Sequence, residues 1–404
     1  MNKKIHKTHI KSGKTIQISG SKSETNRLLL LQALFPQIKI VNNSNSDDSQ
    51  VMIQALEKGV GTIDIHHAGT AMRFLTAFFA SQEGKEVVLT GSPRMKERPI
   101  YILVEALRAL GADITYLENE GFPPLKITGK RLINNEVNIS AEVSSQYISA
   151  LMLIAPSLPN GLIIRLIGSL TSVPYVKMTL ALLEEIGVEA SFHENTIVIH
   201  PLQYTENKTI VVESDWSSAS YWYSFVALSE IGTALKLRSY KPNSLQGDSV
   251  LSEIYTFFGV ETSFSANEIC LQKKSSLQGK RFSCDLRNAP DIAQTLIVTC
   301  FGLGISCDLT GLYTLKIKET DRLEALKTEL TKLGATVQAT PESLYMEESN
   351  EIHSNVAIDT YNDHRMAMAF APLCLKTNII INNSEVVSKS YPDFWADVEK
   401  IMTN

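Results

Sequence analysis

One local pattern recurs along the chain and constrains its fold more than any other feature. In each copy an amphipathic helix ends at a glycine, and a short alternating strand follows. The glycines are Gly111, Gly187, Gly259 and Gly334, with a weaker copy at Gly59. Glycine suits the left-handed position that closes a helix. Because the four main copies lie about 75 residues apart, they indicate a repeated α/β unit, of which the chain can hold about five to six.

Two groups of three such units would form two similar domains, which agrees with the length of 404 residues, too long for one ordinary core. A predicted strand over 209–212 gives way to a predicted helix over 217–228 near Glu213. An early predicted strand over 15–19 ends at Gly20. We expect short direct crossings between the domains at these two places, an arrangement that suits hinge closure around a ligand.

Composition excludes several classes of protein. The chain is 44% hydrophobic, as expected of a globular protein, and its net charge of −5 offers no general attraction to nucleic acid or anionic membrane. No apolar run approaches the roughly 20 residues needed to cross a bilayer. The basic N-terminus leads into a strand rather than a signal core, so we expect a cytoplasmic protein.

The cysteine and histidine patterns predict neither a disulfide framework nor a metal site. None of the five cysteines forms a CxxC pair, and the eight histidines show no HExxH spacing. Buried thiols in a reducing compartment are the expected state.

Several predicted helices carry a cation near their N-terminus. In one of them, residues 318–322, Lys-Glu-Thr-Asp-Arg, precede a periodic leucine run, with Thr320 as the expected N-cap. Cations are unfavourable beside the positive end of a helix dipole unless an anion binds there. The cations in such places are Lys22, Arg27, Arg98, Lys318, Arg322, Arg365 and Lys389. Each segment alone also fits a solvated charge run or an ordinary cap. Their recurrence indicates an anionic ligand with several charges.

Four further details of these helix starts are predicted. Ser23 and Thr70 are expected caps, and Gly69 allows a ligand to approach the backbone closely. Pro99 suits the first helical position, which would place Arg98 at a helix mouth. Residues 144–146, Ser-Ser-Gln, precede a predicted helix over 147–154 and resemble a phosphate cradle.

At these residues the chain resembles the EPSP synthase family of enolpyruvyl transferases. The most specific match is Asn-Asp-His-Arg-Met-Ala-Met over 362–368. The other matching segments, in family order, are residues 20–27, 68–73, 89–99, 144–146, 172–175, 215–220, 246–248, 290–291, 318–322 and 389–393.

The resemblance implies an α/β fold of two similar domains, each of three repeated inverse α/β units, hinged with the active site in the cleft. It implies that residues 21–212 form one domain, and residues 1–20 with 213–404 the other. It also implies a transfer of the enolpyruvyl group of phosphoenolpyruvate to the 5-hydroxyl of shikimate 3-phosphate, with release of phosphate, on the route to chorismate and aromatic amino acids. No cofactor and no metal are implied. We further expect a monomer, with no nucleic-acid or membrane partner.

Site residues follow from the resemblance position by position. The implied phosphoenolpyruvate ligands are Lys22, Gly69, Arg98, Gln146, Arg322, Arg365 and Lys389. The implied shikimate 3-phosphate ligands are Lys22, Ser23, Arg27, Ser144, Ser145, Gln146, Ser172, Tyr175, Asp291 and Lys318. Asp291 resembles the base at the 5-hydroxyl, Glu319 the acid and base at C3, and Lys22 a group that neutralises or shuttles charge.

The chain departs from the family pattern at three positions. Thr314 stands where some members have an asparagine, His67 also replaces an asparagine, and Phe74 replaces a proline. We expect inhibition by glyphosate, because Gly69 leaves room for it, although the bulk of Phe74 opposes this expectation.

Three alternatives remain open. A related transferase acting on UDP-N-acetylglucosamine typically has a reactive cysteine where this chain has Arg98. A binding protein that has lost its chemistry would not need Lys22, Asp291 and Glu319. A nucleic-acid processing protein is disfavoured by the acidic chain.

Overall fold

The computed structural model describes residues 2–142, 144–168, 173–202, 206–349 and 351–403, which form two compact units. The N-terminal unit is Gly20–Val212, and the C-terminal unit is Met1–Ser19 with Glu213–Asn404. Gly20 thus belongs to the N-terminal unit, whereas the sequence prediction placed it in the other domain. A Cβ atom at Gly20 would lie 1.9 Å from the carbonyl oxygen of Asn42 and 2.7 Å from Val212, which explains why only glycine fits there.

Both units are built from short strands and helices. The strands are β1 (Lys3–Ile5), β2 (Lys14–Ile16), β3 (Ile38–Val41), β4 (Gly61–Asp64), β5 (Glu86–Thr90), β6 (Asp113–Tyr116), β7 (Leu125–Thr128), β8 (Glu136–Ser140), β9 (Leu162–Ile167), β10 (Ala190–His193), β11 (Thr196–Ile199), β12 (Lys208–Val211), β13 (Ala234–Arg238), β14 (Val260–Ser265), β15 (Glu268–Lys273), β16 (Arg281–Asp285), β17 (Ser306–Thr310), β18 (Val337–Ala339), β19 (Leu344–Met346), β20 (Val356–Ile358) and β21 (Ile379–Ile381).

The helices are α1 (Lys22–Leu34), α2 (Asp47–Lys58), α3 (Gly69–Ala80), α4 (Pro93–Lys96), α5 (Tyr101–Ala109), α6 (Ser145–Ile154), α7 (Val173–Glu185), α8 (Trp216–Leu228), α9 (Leu251–Ile254), α10 (Ala293–Leu303), α11 (Arg322–Lys332), α12 (His364–Phe370) and α13 (Phe394–Ile401). Short 3₁₀ turns join several of them, including Pro290–Ile292 before α10 and Ser384–Lys389 before α13. Among the described residues, no helix is both long and apolar enough to cross a membrane.

The sheets repeat one arrangement. In each four-stranded sheet two parallel strands occupy one side, and an antiparallel hairpin extends the other. The N-terminal unit contains the orders β4-β5-β7-β6 and β8-β9-β11-β10 with the parallel pair β3-β12, and the C-terminal unit contains β2-β13-β15-β14, β16-β17-β19-β18 and the smaller sheet β1-β21-β20. The predicted α/β class is therefore confirmed.

The glycines of the repeated pattern have the backbone conformation that the sequence predicts. Gly111, Gly187, Gly259 and Gly334 have φ of 104°, 94°, 75° and 106°, and Gly59 closes α2 at φ 64°. A strand follows each of them within a few residues. At Gly259 a Cβ atom would also lie 2.0 Å from the carbonyl oxygen of Ser275, so a substitution there would both strain the backbone and collide.

The packing between sheets and helices gives each unit a separate core. Helices such as α3 and α6 in the N-terminal unit and α8 and α10 in the C-terminal unit are buried along nearly their whole length. In helices of this kind, buried on every side, polar side chains must find partners inside the protein. The polar groups at the ends and on the buried turns of such helices therefore cluster inside each unit.

The predicted N-cap of α11 is wrong by one residue. Asp321, not Thr320, occupies the N-cap, and its Oδ1 accepts hydrogen bonds from the backbone N–H of Leu323 at 3.1 Å and of Glu324 at 3.3 Å. A carboxylate there satisfies two free N–H groups and also complements the helix dipole.

Three other predicted helix starts are also displaced. Helix α1 begins at Lys22, so Ser23 lies inside the helix rather than capping it. Helix α3 has Ala68 at its N-cap position, so Thr70 is not a cap. Helix α5 begins only at Tyr101, which leaves Pro99 and Arg98 outside its first turn.

Candidate active site

The C-terminal unit contains a buried group of alternating charges around Arg322, the first residue of α11. We call it the Arg322 cluster and define it by Asp291, Lys318, Glu319, Arg322, Asp363 and Arg365. The Arg322 side chain is 2% exposed. Its Nε donates to Asp363 Oδ2 at 2.6 Å, its Nη1 to Asp291 Oδ1 at 2.9 Å and its Nη2 to Glu319 Oε2 at 3.0 Å. Burial alone would lower the pKa of Arg322, but these three carboxylates raise it.

Asp291 lies at the centre of the cations in this cluster. It sits in the 3₁₀ turn before α10, and its carboxylate is 2.9 Å from Arg322, 3.3 Å from Arg365 Nη2 and 3.8 Å from Lys318 Nζ. Burial would raise the pKa of Asp291, but the charges of Arg365, Lys318 and Arg322 hold it well below its usual range. Asp291 is therefore ionised at neutral pH.

Arg365, in the first turn of α12, is fixed by two further contacts. Its Nη1 donates to the carbonyl oxygen of Asp291 at 3.1 Å, and its Nη2 donates to Ser217 Oγ at 3.3 Å. Ser217 Oγ in turn donates to Asp248 Oδ2. Burial, together with the charge of Asp291, raises the pKa of Asp248 to about 7. Asp248 and Ser217 thus form a second layer behind Arg365.

The remaining predicted residues of this unit lie at the edge of the cluster. Asp291 acts to raise the pKa of Lys318, but burial and the nearby Arg322 outweigh it and lower that pKa. Lys389 Nζ donates to the carbonyl oxygen of Asn362 at 2.7 Å, next to Asp363 in the chain. The cluster as defined holds three cations and three carboxylates, so its charges balance.

In the N-terminal unit, Arg27 is buried in a different way. It lies in the second turn of α1 and is 2% exposed. Its Nε donates to Thr179 Oγ1 at 2.7 Å, its Nη1 to the carbonyl oxygen of Ser23 at 2.7 Å, and its Nη2 to Ser149 Oγ at 3.1 Å and the carbonyl oxygen of Tyr175 at 3.4 Å. Every hydrogen bond that the structure describes for Arg27 thus ends on a neutral oxygen.

Two aromatic rings also lie beside Arg27, and nearby Glu24 acts electrostatically to stabilise its charge. Its guanidinium carbon is 5.4 Å from the ring centroid of Phe74 and 5.8 Å from that of Tyr175. Burial lowers the pKa of Arg27 to about 10, which still leaves it protonated at neutral pH. We call Ser23, Arg27, Phe74, Ser149, Tyr175 and Thr179 the Arg27 cluster.

Gly69, the first residue of α3, is flanked by two guanidinium groups. A Cβ atom at this position would lie 2.6 Å from Arg98 Nη1 and 2.8 Å from Arg73 Nη1. Arg73 Nη1 also donates to the carbonyl oxygen of Gly69 at 2.8 Å. Close by in the chain, Thr70 Oγ1 accepts a hydrogen bond from Gln146 Nε2 at 3.2 Å. The structure thus brings Gly69, Arg98 and Gln146 to one corner.

The other predicted residues of the N-terminal unit have individual partners. Lys22 Nζ is 3.0 Å from Asp48 Oδ2 in the first turn of α2. Ser144 caps α6 by accepting the backbone N–H of Gln146 at 3.3 Å, and Ser145 is buried behind it. Ser172 lies outside the described residues.

Sequence reasoning gave no role to several residues of these clusters. They are Asp48, Arg73, Ser149, Thr179, Ser217, Asp248 and Asp363. Asp363 carried a usable signal, because an aspartate directly before an apolar helix is a strong N-cap candidate. Ser149 and Thr179 carried a weaker one, since a hydroxyl at a buried helical position requires a partner.

Comparison with known proteins gives one consistent family. The family model described as EPSP synthase (3-phosphoshikimate 1-carboxyvinyltransferase) matches residues 59–398. A 3-phosphoshikimate 1-carboxyvinyltransferase of Bacteroides fragilis is 46% identical over 391 residues, covering 96% of this chain and 94% of that protein. One of Haemophilus influenzae is 37% identical over 428 residues, covering 96% of each chain.

Solved structures agree with the fold. An EPSP synthase from Acinetobacter baumannii superposes with a TM-score of 0.82 at 20% identity, covering 99% of this chain and 98% of that one. An enolpyruvyl transferase from Streptomyces tendae has a TM-score of 0.71 at 14% identity, covering 99% and 97%. At these identities the structures show the fold alone.

Proposed function

Because the chain belongs to the EPSP synthase (3-phosphoshikimate 1-carboxyvinyltransferase) family, we propose which of its residues carry out the reaction of that family. The chain transfers the enolpyruvyl group of phosphoenolpyruvate to shikimate 3-phosphate, a step of aromatic amino acid biosynthesis. By our assignment, each of the two units contributes residues to the reaction.

Phosphoenolpyruvate carries a phosphate and a carboxylate, which guanidinium forks bind in a bidentate manner. Arg98 beside Gly69, and Arg322 with Arg365, supply such forks. The proposed ligands of phosphoenolpyruvate are Lys22, Gly69, Arg98, Gln146, Arg322, Arg365 and Lys389. A side chain at Gly69 would meet the Arg98 guanidinium, because its Cβ atom would lie 2.6 Å from Nη1.

Shikimate 3-phosphate combines a dianionic phosphate with hydroxyl groups and a carboxylate. Arg27 suits this substrate because none of its described hydrogen bonds ends on a carboxylate. The N-terminus of α6, with Ser144 and Ser145, offers hydroxyl groups and the positive end of a helix dipole for a phosphate. The full proposed set is Lys22, Ser23, Arg27, Ser144, Ser145, Gln146, Ser172, Tyr175, Asp291 and Lys318.

The chemistry requires proton movement at two atoms. The 5-hydroxyl loses a proton as its oxygen attacks C2 of phosphoenolpyruvate, and C3 gains one, which gives a tetrahedral intermediate. Loss of phosphate and of a proton from C3 then restores the enol. We assign Asp291 as the base at the hydroxyl, Glu319 as the acid and base at C3, and Lys22 as a group that offsets charge on the substrates.

The low pKa of Asp291 has a consequence for its role as a base. Three cations hold that pKa down in the absence of substrate. When Arg322 and Arg365 bind the anionic groups of phosphoenolpyruvate, their attraction for Asp291 is shared, and the pKa of Asp291 rises toward the range useful for proton abstraction. The observation that supports the assignment most is therefore the placement of Asp291 among Lys318, Arg322 and Arg365.

A phosphate-release assay tests the assignment. We expect release only when phosphoenolpyruvate and shikimate 3-phosphate are both present, and none when UDP-N-acetylglucosamine replaces the latter. The Asp291→Asn variant should lose turnover by a factor of about 10² to 10⁴, the usual contribution of a general base. The Asp285→Asn variant, which changes an exposed aspartate paired with Arg287 at 2.7 Å, is the matched control. Near-normal turnover of Asp291→Asn would exclude Asp291 as the base.

The assignment needs no cofactor or metal, because charged side chains serve all of its steps. We also propose that the enzyme acts as a monomer in the cytoplasm. Sedimentation at micromolar concentration tests the first point, and cell fractionation tests the second.

A further inference from the structure

Phe74 lies in an unexpected relation to Arg27. It stands in α3 where the family pattern has a proline, and its side chain is fully buried. Its ring centroid is 5.4 Å from the guanidinium carbon of Arg27, within the range of a cation–π contact. A proline has no π face and cannot make this contact.

Arg27 needs such a contact more than Arg322 does. Arg322 is buried among Asp291, Glu319 and Asp363, so neighbouring carboxylates compensate its loss of hydration. The described hydrogen bonds of Arg27 end only on hydroxyl and carbonyl oxygens. Burial lowers the pKa of the Arg27 guanidinium and outweighs the electrostatic action of nearby Glu24. The negative face of an aromatic ring can offset part of that burial, because the ring stabilises the charge without neutralising it.

The two rings beside Arg27 belong to different helices. Tyr175, in α7, also accepts a hydrogen bond from Arg27 through its carbonyl oxygen at 3.4 Å. Phe74 has no polar atom in its side chain, so its ring can influence Arg27 only by its shape and its π face. The effect of the ring's shape and the effect of its π face can be separated. Fluorination removes the negative charge of the ring face and nearly preserves the shape of the ring.

We propose that Phe74 is a positioning residue for shikimate 3-phosphate, and that its ring face holds the Arg27 guanidinium charged and oriented for the anionic substrate. The inference rests on the proposed function, since it takes Arg27 as a ligand of that substrate. It adds a residue that departs from the family pattern and that itself touches neither substrate.

The test compares Phe74→Leu with Phe79→Leu in steady-state kinetics. Phe79 is the control because it lies in the same helix, is also buried and packs on Phe78 at 5.2 Å between ring centroids. We expect Phe74→Leu to raise the KM for shikimate 3-phosphate about 3- to 30-fold, the range that corresponds to cation–π contacts from exposed to desolvated. The KM for phosphoenolpyruvate and kcat should change less than about 2-fold. Phe79→Leu should leave both KM values unchanged.

A second measurement separates the ring face from packing. Phe74 is replaced by pentafluorophenylalanine, which keeps the ring's shape but reverses the charge of its face, and the same replacement is made at Phe79. We expect the KM for shikimate 3-phosphate to rise at position 74 alone. This variant also decides the matter if Phe74→Leu does not fold.

The outcomes distinguish a failure of the inference about Phe74 from a failure of the assignment of Arg27. If Arg27→Lys raises the KM for shikimate 3-phosphate but both Phe74 variants behave as their Phe79 controls do, Phe74 serves only packing and the inference is wrong. If Arg27→Lys itself leaves that KM unchanged, the assignment of Arg27 fails, and the inference fails with it.

Discussion

The strongest single test of the Arg322 cluster is the replacement of Asp363 by asparagine. The carboxylate of Asp363 is fully buried and accepts from Arg322 Nε at 2.6 Å and Nη2 at 3.4 Å. It also caps α12 by accepting the backbone N–H of Arg365 at 2.9 Å. One side chain thus contacts two of the three arginines that we assign to phosphoenolpyruvate. Asparagine keeps the shape and a capping oxygen but removes the charge.

The structure sets the expected size of the effect. Breaking a buried ion pair by removing one partner costs about 3–5 kcal/mol. Because Arg322 keeps Asp291 and Glu319, we expect the lower end, about 3 kcal/mol of unfolding free energy for Asp363→Asn. Asp363→Ala also removes the cap and should lose about 1 kcal/mol more, since asparagine is as good an N-cap as aspartate and alanine is a poor one.

A nearby exposed pair provides the control. Asp359 has a side chain that is 52% exposed and lies 2.8 Å from Lys332 Nζ. Removal of its charge in Asp359→Asn should cost less than about 1 kcal/mol, because water and salt screen an exposed pair. The contrast between the two variants isolates the effect of burial.

Urea unfolding followed by tryptophan fluorescence measures the free energy of unfolding of the C-terminal unit. All three tryptophans, Trp216, Trp222 and Trp395, belong to the C-terminal unit, which contains Asp363. The signal therefore reports that unit even if the two units unfold separately. The same variant should raise the KM for phosphoenolpyruvate. A free energy of unfolding within about 0.5 kcal/mol of the parent, or equal to that of Asp359→Asn, would refute the assigned role of Asp363 in holding Arg322.

Three other variants give further tests. Glu319→Gln should bind both substrates but lose turnover by about 10²- to 10⁴-fold in the phosphate-release assay, and near-normal turnover would exclude it as the acid and base at C3. Gly69→Ala should raise the KM for phosphoenolpyruvate, because its Cβ atom would lie 2.6 Å from Arg98 Nη1, and an unchanged KM would contradict the placement of Arg98. For Asp248 the folded-state pKa of about 7 exceeds the unfolded value of about 4, so the parent loses stability as pH rises through this window. Asp248→Asn removes that loss. The melting temperature of the variant minus that of the parent should therefore increase from pH 5 to pH 8. A difference that does not change with pH would contradict the titration of Asp248.

The repeat could be predicted from sequence because its signal is local. A glycine such as Gly187 closes a helix through its own backbone conformation, whatever surrounds it, and the structure gives it φ of 94°. Constant spacing then revealed the α/β units before any tertiary contact was considered. The caps were harder, because adjacent polar residues compete for one position. Thr320 and Asp321 both suit an N-cap, and Asp321 occupies it because its carboxylate accepts from two N–H groups.

The second layer of the candidate site could not be predicted in the same way. Ser217, Asp248 and Arg365 come from three distant segments, and their contacts exist only in the folded unit. The raised pKa of Asp248 likewise depends on burial and on Asp291. Resemblance between sequences shows which residues of this chain correspond to the substrate-binding residues of its family. It does not show which neighbours hold those residues in place, and at Phe74 this chain departs from the pattern.

The two buried arginines also show why cations at helix starts did not by themselves identify anion sites. Around Arg322 the expected anions are partly the protein's own carboxylates, so a substrate anion must compete with them for the guanidinium. Asp363 is fully buried and caps α12, and Asp291 is held ionised by three cations. Glu319, with 22% of its side chain exposed, is the most accessible of the three. We therefore infer that a substrate anion displaces Glu319 from Arg322 first, which would free this carboxylate for its assigned role at C3.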